Sequence, residues 1–189
     1  MRDSKVITAT SRKCYIRDTN QQVLVLQDNI LMAVPDKLPK TRETFYIWTS
    51  TLQLESEMAN PIYLAVSKGE LCLCCDPVKD PKHPKLELKK KKIEDLNSLK
   101  KEEILPFTFL MENTGSYFTL ESAANREYFI FTSSISSQPV GVTKEVGKEK
   151  NTHFSFEGVN VDLKEVKKLN IQWILARPCM TAVFGLTTS

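Results

Sequence analysis

Short apolar segments separated by turn residues dominate the chain, and their side-chain alternation predicts strands. The first six are Cys14–Asp18, Val23–Gln27, Ile30–Val34, Phe45–Leu52, Ile62–Val66 and Leu71–Asp76. Six more follow at Lys85–Lys89, Pro106–Glu112, Tyr117–Glu121, Tyr128–Thr132, Pro139–Thr143 and Thr152–Glu157. Val23-Leu24-Val25-Leu26 is apolar on both faces and predicts a doubly buried strand, whereas Lys85-Leu86-Glu87-Leu88-Lys89 puts its leucines on one face and predicts one wet side. Strand pairs recur from Cys14, Ile62 and Tyr117, each completed by two further strands, so the chain reads as three four-strand units of roughly 50 residues. One unit cannot cover its own apolar face, but three can close a barrel and remove the open edges. About twelve short strands with turn-rich links thus predict a closed or nearly closed all-β body.

Two stretches depart from this pattern. Lys91–Lys101 carries Ile93, Leu96 and Leu99 at i, i+3 and i+6 among charges, which predicts a short helical turn at the surface. After Glu157 the composition shifts, and Leu163, Val166, Ile171, Ile174 and Leu175 show partial helical spacing that Pro178 would end. The organisation read from sequence is a flexible, processable segment 1–12, a β domain 13–157 and an atypical tail 158–189, helical or disordered.

A chain of 189 residues can bury roughly 70% of its unfolded surface in one domain without a metal or disulfide. With 41% apolar and 26% charged residues it has globular composition, and a net charge of +3 is too balanced to indicate direct nucleic-acid binding. No segment approaches the roughly 20 apolar residues of a membrane span, and the first residues contain no apolar leader core. Five cysteines, three of them crowded at Cys72, Cys74 and Cys75, suit synthesis in a reducing compartment, so action outside the cell would require export without a cleaved leader.

Residues of catalytic type are sparse. His83 and His153 stand apart from any nucleophile motif, six glycines leave little room for a phosphate-cradling loop, and no cofactor or metal is expected. Cys72-Leu73-Cys74-Cys75 contains a C-x-x-C spacing, but on a strand Cys72 and Cys74 share one face and Cys75 takes the other, which predicts buried small side chains. Lys89, Lys90, Lys91 and Lys92 form the strongest basic cluster. Such a run binds sulfated glycans, phosphates or a nuclear import receptor, or is simply solvated among Glu87, Glu94 and Asp95.

The stretch Leu120-Glu121-Ser122-Ala123-Ala124-Asn125-Arg126-Glu127-Tyr128-Phe129-Ile130-Phe131-Thr132-Ser133 resembles the signature of the interleukin-1 cytokine family, matched at Ser122, Phe129, Ile130, Thr132 and Val140. Arg126 stands where that family usually has proline, and Phe131 where it has a small residue. Asn20–Leu26, Leu31–Lys37, Asn60–Leu64, Val66–Asp76, His83–Lys89, Pro106–Phe109, Pro139–Thr143 and Phe154–Phe156 are similar to further family strands. Likeness runs from Lys13 to Glu157, nearest the interleukin-37 branch and then the interleukin-36 branch.

That resemblance implies a β-trefoil, in agreement with the three units, and a non-enzymatic cytokine. It would leave the cell without a leader, be cytoplasmic before release with some nuclear entry, and bind immunoglobulin-type receptor and co-receptor ectodomains. The interleukin-37 branch implies suppression of innate inflammation, the interleukin-36 branch activation. A heparin-binding trefoil resembling fibroblast growth factors is the alternative. Receptor contacts implied are Tyr15 and Arg17 on the first strand, Glu55 and Glu57 after the fourth, and Lys144, Glu145, Lys148, Glu149 and Lys150 in the last hairpin, where Gly147 is available for a positive-φ turn. Ile16-Arg17-Asp18 resembles the family's aliphatic-x-Asp processing motif, placing a new terminus near Ile7.

Overall fold

The computed structural model describes residues 11–37, 41–55, 58–79, 82–147 and 149–159. Its first unit is β1 (Arg12–Asp18), β2 (Gln22–Gln27), β3 (Ile30–Pro35) and β4 (Phe45–Thr49). The second is β5 (Asn60–Val66), β6 (Leu71–Cys74), β7 (Glu87–Lys90) and β8 (Phe109–Thr114). The third holds β9 (Tyr117–Ser122), β10 (Phe129–Ser133), β11 (Gln138–Pro139), β12 (Gly141–Thr143), β13 (Lys150–Asn151) and β14 (Phe154–Gly158). Antiparallel pairing runs β1–β4–β5–β8–β9–β14 and returns to β1, so six strands close a barrel. The inner strands of each unit form hairpins, β2–β3, β6–β7 and β10–β12. This is the β-trefoil that the resemblance implies, and it agrees with the three-unit strand pattern.

Closure works because each barrel strand sends alternate residues inward. Cys14 and Ile16 of β1, Phe45 and Ile47 of β4, Ile62 and Leu64 of β5, Phe109 of β8, Leu120 of β9 and Phe154 of β14 meet in one buried core. Two-residue turns set hairpin registers: Asp28 and Asn29 join β2 to β3 with both φ angles positive, the geometry that matches strand twist. Gly115, at φ +83°, does so between β8 and β9.

β5 is buried on both faces from Ile62 to Val66. Its outward residues Tyr63 and Ala65 lie in a second core with Cys72, Cys74, Ile93, Leu96, Ile104 and Phe107. The expected helical turn is therefore a cover over the barrel rather than a purely surface element. It is a 3-10 helix, Ile93–Ser98, followed by the one-turn α-helix α1, Lys101–Ile104. The spacing i, i+3, i+6 explains this: three residues per turn align Ile93, Leu96 and Leu99, where 3.6 would splay them. Burial in two cores confirms the packing reading of the cysteines. Leu73 and Cys75 face the barrel core, Cys72 and Cys74 the outer one. Burial pushes the Cys72 and Cys74 thiols up to about 12, which removes thiolate chemistry near neutral pH.

Other expectations need correction. The fourth strand stops at Thr49 rather than Leu52, because the Ser50 hydroxyl turns to accept from the Leu52 amide and to meet Thr108. Pro106 lies in a 3-10 turn, Leu105–Phe107, and β8 begins only at Phe109, since proline cannot donate to a ladder. The segment Pro139–Thr143 is split at Val140, whose amide donates to Leu31; β11 pairs with β3 and β12 with β10. Gly147 does not take a positive φ. Segment 1–10, Glu57, Lys148 and tail 160–189 lie outside the described residues.

The signature stretch holds the fold together. Ser122, Ile130, Thr132 and Val140 are buried. Asn125, also buried, donates from its side-chain amide to the Asp76 carbonyl at 2.9 Å and to the Cys75 sulfur at 3.2 Å, while its oxygen accepts from the Val78 amide. It ties the β9–β10 connection to the end of β6. Asn125→Ala leaves these groups unpaired, and a loss of about 2–3 kcal/mol in chemical denaturation is expected. Arg126, at the usual proline position, is exposed and pairs with Glu121.

Candidate functional site

Alternation along β1 turns Cys14, Ile16 and Asp18 inward and Lys13, Tyr15 and Arg17 outward. Its neighbour β14 sets Glu157 opposite Tyr15, and β4 sets Tyr46 opposite Lys13. On this exterior four charges interlock. The Arg17 guanidinium donates to Asp36 at 2.7 Å and to Glu157 at 3.1 Å. Arg42 grips both Asp36 oxygens and donates to Glu157 at 3.1 Å. Arg42 also lies 5.5 Å from the Tyr15 ring centre, and the Lys13 ammonium stands at the same distance from the Tyr46 ring.

The Arg17 and Arg42 side chains are only 15% and 19% exposed, so these forked contacts are better ordered than ordinary surface pairs. Hydrogen bonding from Arg42, helped by Arg17, holds the Asp36 carboxyl below its usual value of 3.8, and Asp36 in turn raises Arg42. A folded-state value below the unfolded one means stability that is present above about pH 4 and is lost as pH falls through the folded value. Asp36→Asn is expected to flatten the acid limb of the pH–stability curve below about pH 4, read by thermal denaturation across pH.

This face contains two arginines and two tyrosines, and beyond Tyr46 on β4 the half-buried Trp48 packs, like Tyr46, against the second core. These residue types supply most binding energy at protein interfaces, because they bury much area with little rotamer entropy. Here ion pairs and strands already fix their geometry. No nucleophile–base pair accompanies them, and His83 is exposed on a separate segment. Among the described residues no group of three His, Cys, Asp or Glu side chains could hold a metal ion. The arrangement is suited to recognition.

Two residues singled out from sequence, Tyr15 and Arg17, fall in this cluster. Sequence reasoning missed Asp36, Arg42, Tyr46, Trp48 and Glu157. The alternation Phe45-Tyr46-Ile47-Trp48 carried a signal for two of them, since it puts the tyrosine and tryptophan opposite the core-facing pair. Glu55 is exposed in the loop after β4. Lys144 is exposed and pairs with Glu127 at 3.0 Å. Glu145 pairs loosely with Lys150 at 3.7 Å, and Glu149 accepts from the Ser134 amide through its carbonyl. Lys150 is drawn back onto the barrel, its ammonium 3.3 Å from the Thr143 hydroxyl and 5.5 Å from the Phe131 ring centre. Ile16 is part of the barrel core and Asp18 is 1% exposed, accepting hydrogen bonds within the fold; Ile7 lies outside the described residues.

Part of the lysine run is engaged within the fold. Lys89 binds Asp76 at 2.6 Å, and Lys91 stands 5.5 Å from the Phe107 ring centre while its carbonyl accepts from the Cys72 thiol. Lys90, Lys91 and Lys92 border an open depression with Glu70, Asp95 and Asn29. β7 lies at one end of the strand order, where lysines blunt edge-to-edge association. No helix among the described residues is long and apolar enough to cross a membrane.

Comparison with known proteins agrees with this architecture. A family profile described as Interleukin-1 / 18 matches residues 37–156. Human interleukin-37 is 43% identical over 82% of this chain and 72% of its own length. Human interleukin-36 alpha is 37% identical over 77% of this chain and 91% of its own. The solution structure of the pro-inflammatory cytokine interleukin-36alpha superposes with a TM-score of 0.64 at 36% identity, covering 79% of this chain and 94% of that one.

Proposed function

This chain belongs to the interleukin-1 family, a family of extracellular, non-enzymatic signalling proteins that bind interleukin-1-type receptors, and from that premise we propose that it suppresses innate inflammatory signalling as interleukin-37 is expected to. It reaches its receptor outside the cell. The exterior of β1 and β4 engages an immunoglobulin-type receptor ectodomain, and the loops around Glu55 and Lys144–Lys150 address a co-receptor. The ordered cluster of Tyr15, Arg17, Arg42 and Tyr46 is the observation that carries this reading, because it offers aromatic and guanidinium groups already locked in place. The suppressive sign rests on the likeness to interleukin-37.

The test is a panel of purified receptor ectodomains read with reporter cells. Binding to an interleukin-18-receptor-type ectodomain with damped cytokine output is expected. Agonism through an interleukin-36 receptor would overturn the suppressive sign and favour the second reading, which rests on the likeness to a cytokine described as pro-inflammatory. Removal of residues 1–6, giving a terminus at Ile7, is expected to raise potency roughly tenfold or more, equivalent to about 1.4 kcal/mol of binding. Equal potency of trimmed and full chains in the same assay contradicts that processing step.

A further inference from the structure

We propose that Asp18 is a positioning residue for the 144–151 loop, joining the loop's root to the strand that carries Tyr15 and Arg17; the binding consequence rests on the receptor reading above. Asp18 ends β1, and its carboxylate is saturated from both sides. One oxygen accepts from the Asn20 and Gln22 amides, each at 2.8 Å. The other accepts from the Gln22 side-chain amide at 3.0 Å and from the Thr132 hydroxyl at 2.7 Å. The Gln22 amide nitrogen also donates to the Ser133 carbonyl at 2.9 Å. Facing two acceptors, it leaves the buried Gln22 Oε1 without a hydrogen bond, so the orientation of that amide is set by the bridge.

Thr132 and Ser133 are the residues of β10 that pair with Asn151 and Lys150, the whole of β13. The Asn151 amide crosses back to the Thr19 hydroxyl at 2.5 Å, and the Ser134 amide donates to Glu149. A two-residue strand has little ladder of its own. The root of the loop is therefore stitched to the β1–β2 turn chiefly by side-chain hydrogen bonds, with a buried charge at their centre. Sequence separations of 111 to 132 residues across these bonds mean that they couple the first unit to the third.

The test uses the full chain. In Asp18→Asn a side-chain NH2 faces the Gln22 amide, donor against donor, which breaks the bridge while both backbone amides keep an acceptor. Amide exchange near Lys150 and Asn151 is expected to quicken roughly tenfold or more, with the amides of Leu64 and Leu120 unchanged. Thr19→Ala, at a half-buried turn residue, removes only the Asn151 link and keeps the test decisive if the first variant folds poorly; it should loosen the same amides. Unchanged exchange in Thr19→Ala and in any folded Asp18→Asn overturns the proposal, whatever the receptor data show. Looser loops with a roughly tenfold faster receptor off-rate support it in full. Looser loops with an unaltered off-rate, measured where the unsubstituted chain binds, overturn the link to binding. Absence of binding by the unsubstituted chain is instead a failure of the receptor reading, and the exchange data still decide the positioning role.

Discussion

Leu64→Ala in β5 is expected to lower stability by about 3–5 kcal/mol, whereas Tyr63→Phe, one residue away on the same strand, leaves it unchanged or raises it by about 1 kcal/mol. Both side chains are fully buried, so exposure does not separate them. Leu64 points into the barrel, where three units converge and neighbouring strands cannot collapse to fill a void without breaking closure. The deleted methyl groups therefore cost both transfer energy and a lasting cavity. Tyr63 points outward beneath the 3-10 turn and α1, and its hydroxyl is buried with no hydrogen-bond partner among the described residues. Removing that oxygen relieves a desolvated polar group while the ring still fills its place. Urea midpoints for the two variants, with unaltered slopes, check the contrast.

The second large effect concerns binding. Arg42→Ala is expected to weaken receptor affinity roughly 100-fold, about 2.7 kcal/mol, as for an ordered arginine at the centre of an interface. Arg17 still neutralises Asp36 in this variant, so the melting temperature should move by no more than a few degrees. Lys90→Ala serves as the control, because that side chain is exposed on β7. Its affinity should match the parent's. Equal losses in the two variants would point to bulk positive charge as the source of binding, and a salt series would then show a steep slope for both.

Much of this architecture was legible in the chain. Period-two alternation in β1, β4 and β9 reports which residues face the barrel, since a strand sealed on one side must alternate. The threefold plan was legible for the same reason, as closure needs three similar units. Strand ends were less so. Ser50, Pro106 and Val140 end or interrupt pairing through hydrogen bonds to residues 58, 31 and 109 positions away, and local patterns carry no trace of such partners. The charge cluster was hidden for a related cause. Arg17 and Glu157 meet because β1 and β14 close the barrel, and Arg42 reaches them from the connection before β4. The lysine run is conspicuous in sequence, but nothing local tells that Lys89 pairs with Asp76 and that Lys91 stands over the Phe107 ring.

A rigid barrel with a preformed aromatic and guanidinium face makes one demand on any complex. Hydroxyl-radical footprinting of the chain, free and saturated with its receptor ectodomain, reads side-chain contact directly. Protection of Tyr15, Tyr46 and Trp48 is expected, with oxidation of the exposed Tyr117 on the β8–β9 hairpin unaltered. Unchanged oxidation of the first three in a saturated complex would show that the exterior of β1 and β4 is not where this protein meets its receptor.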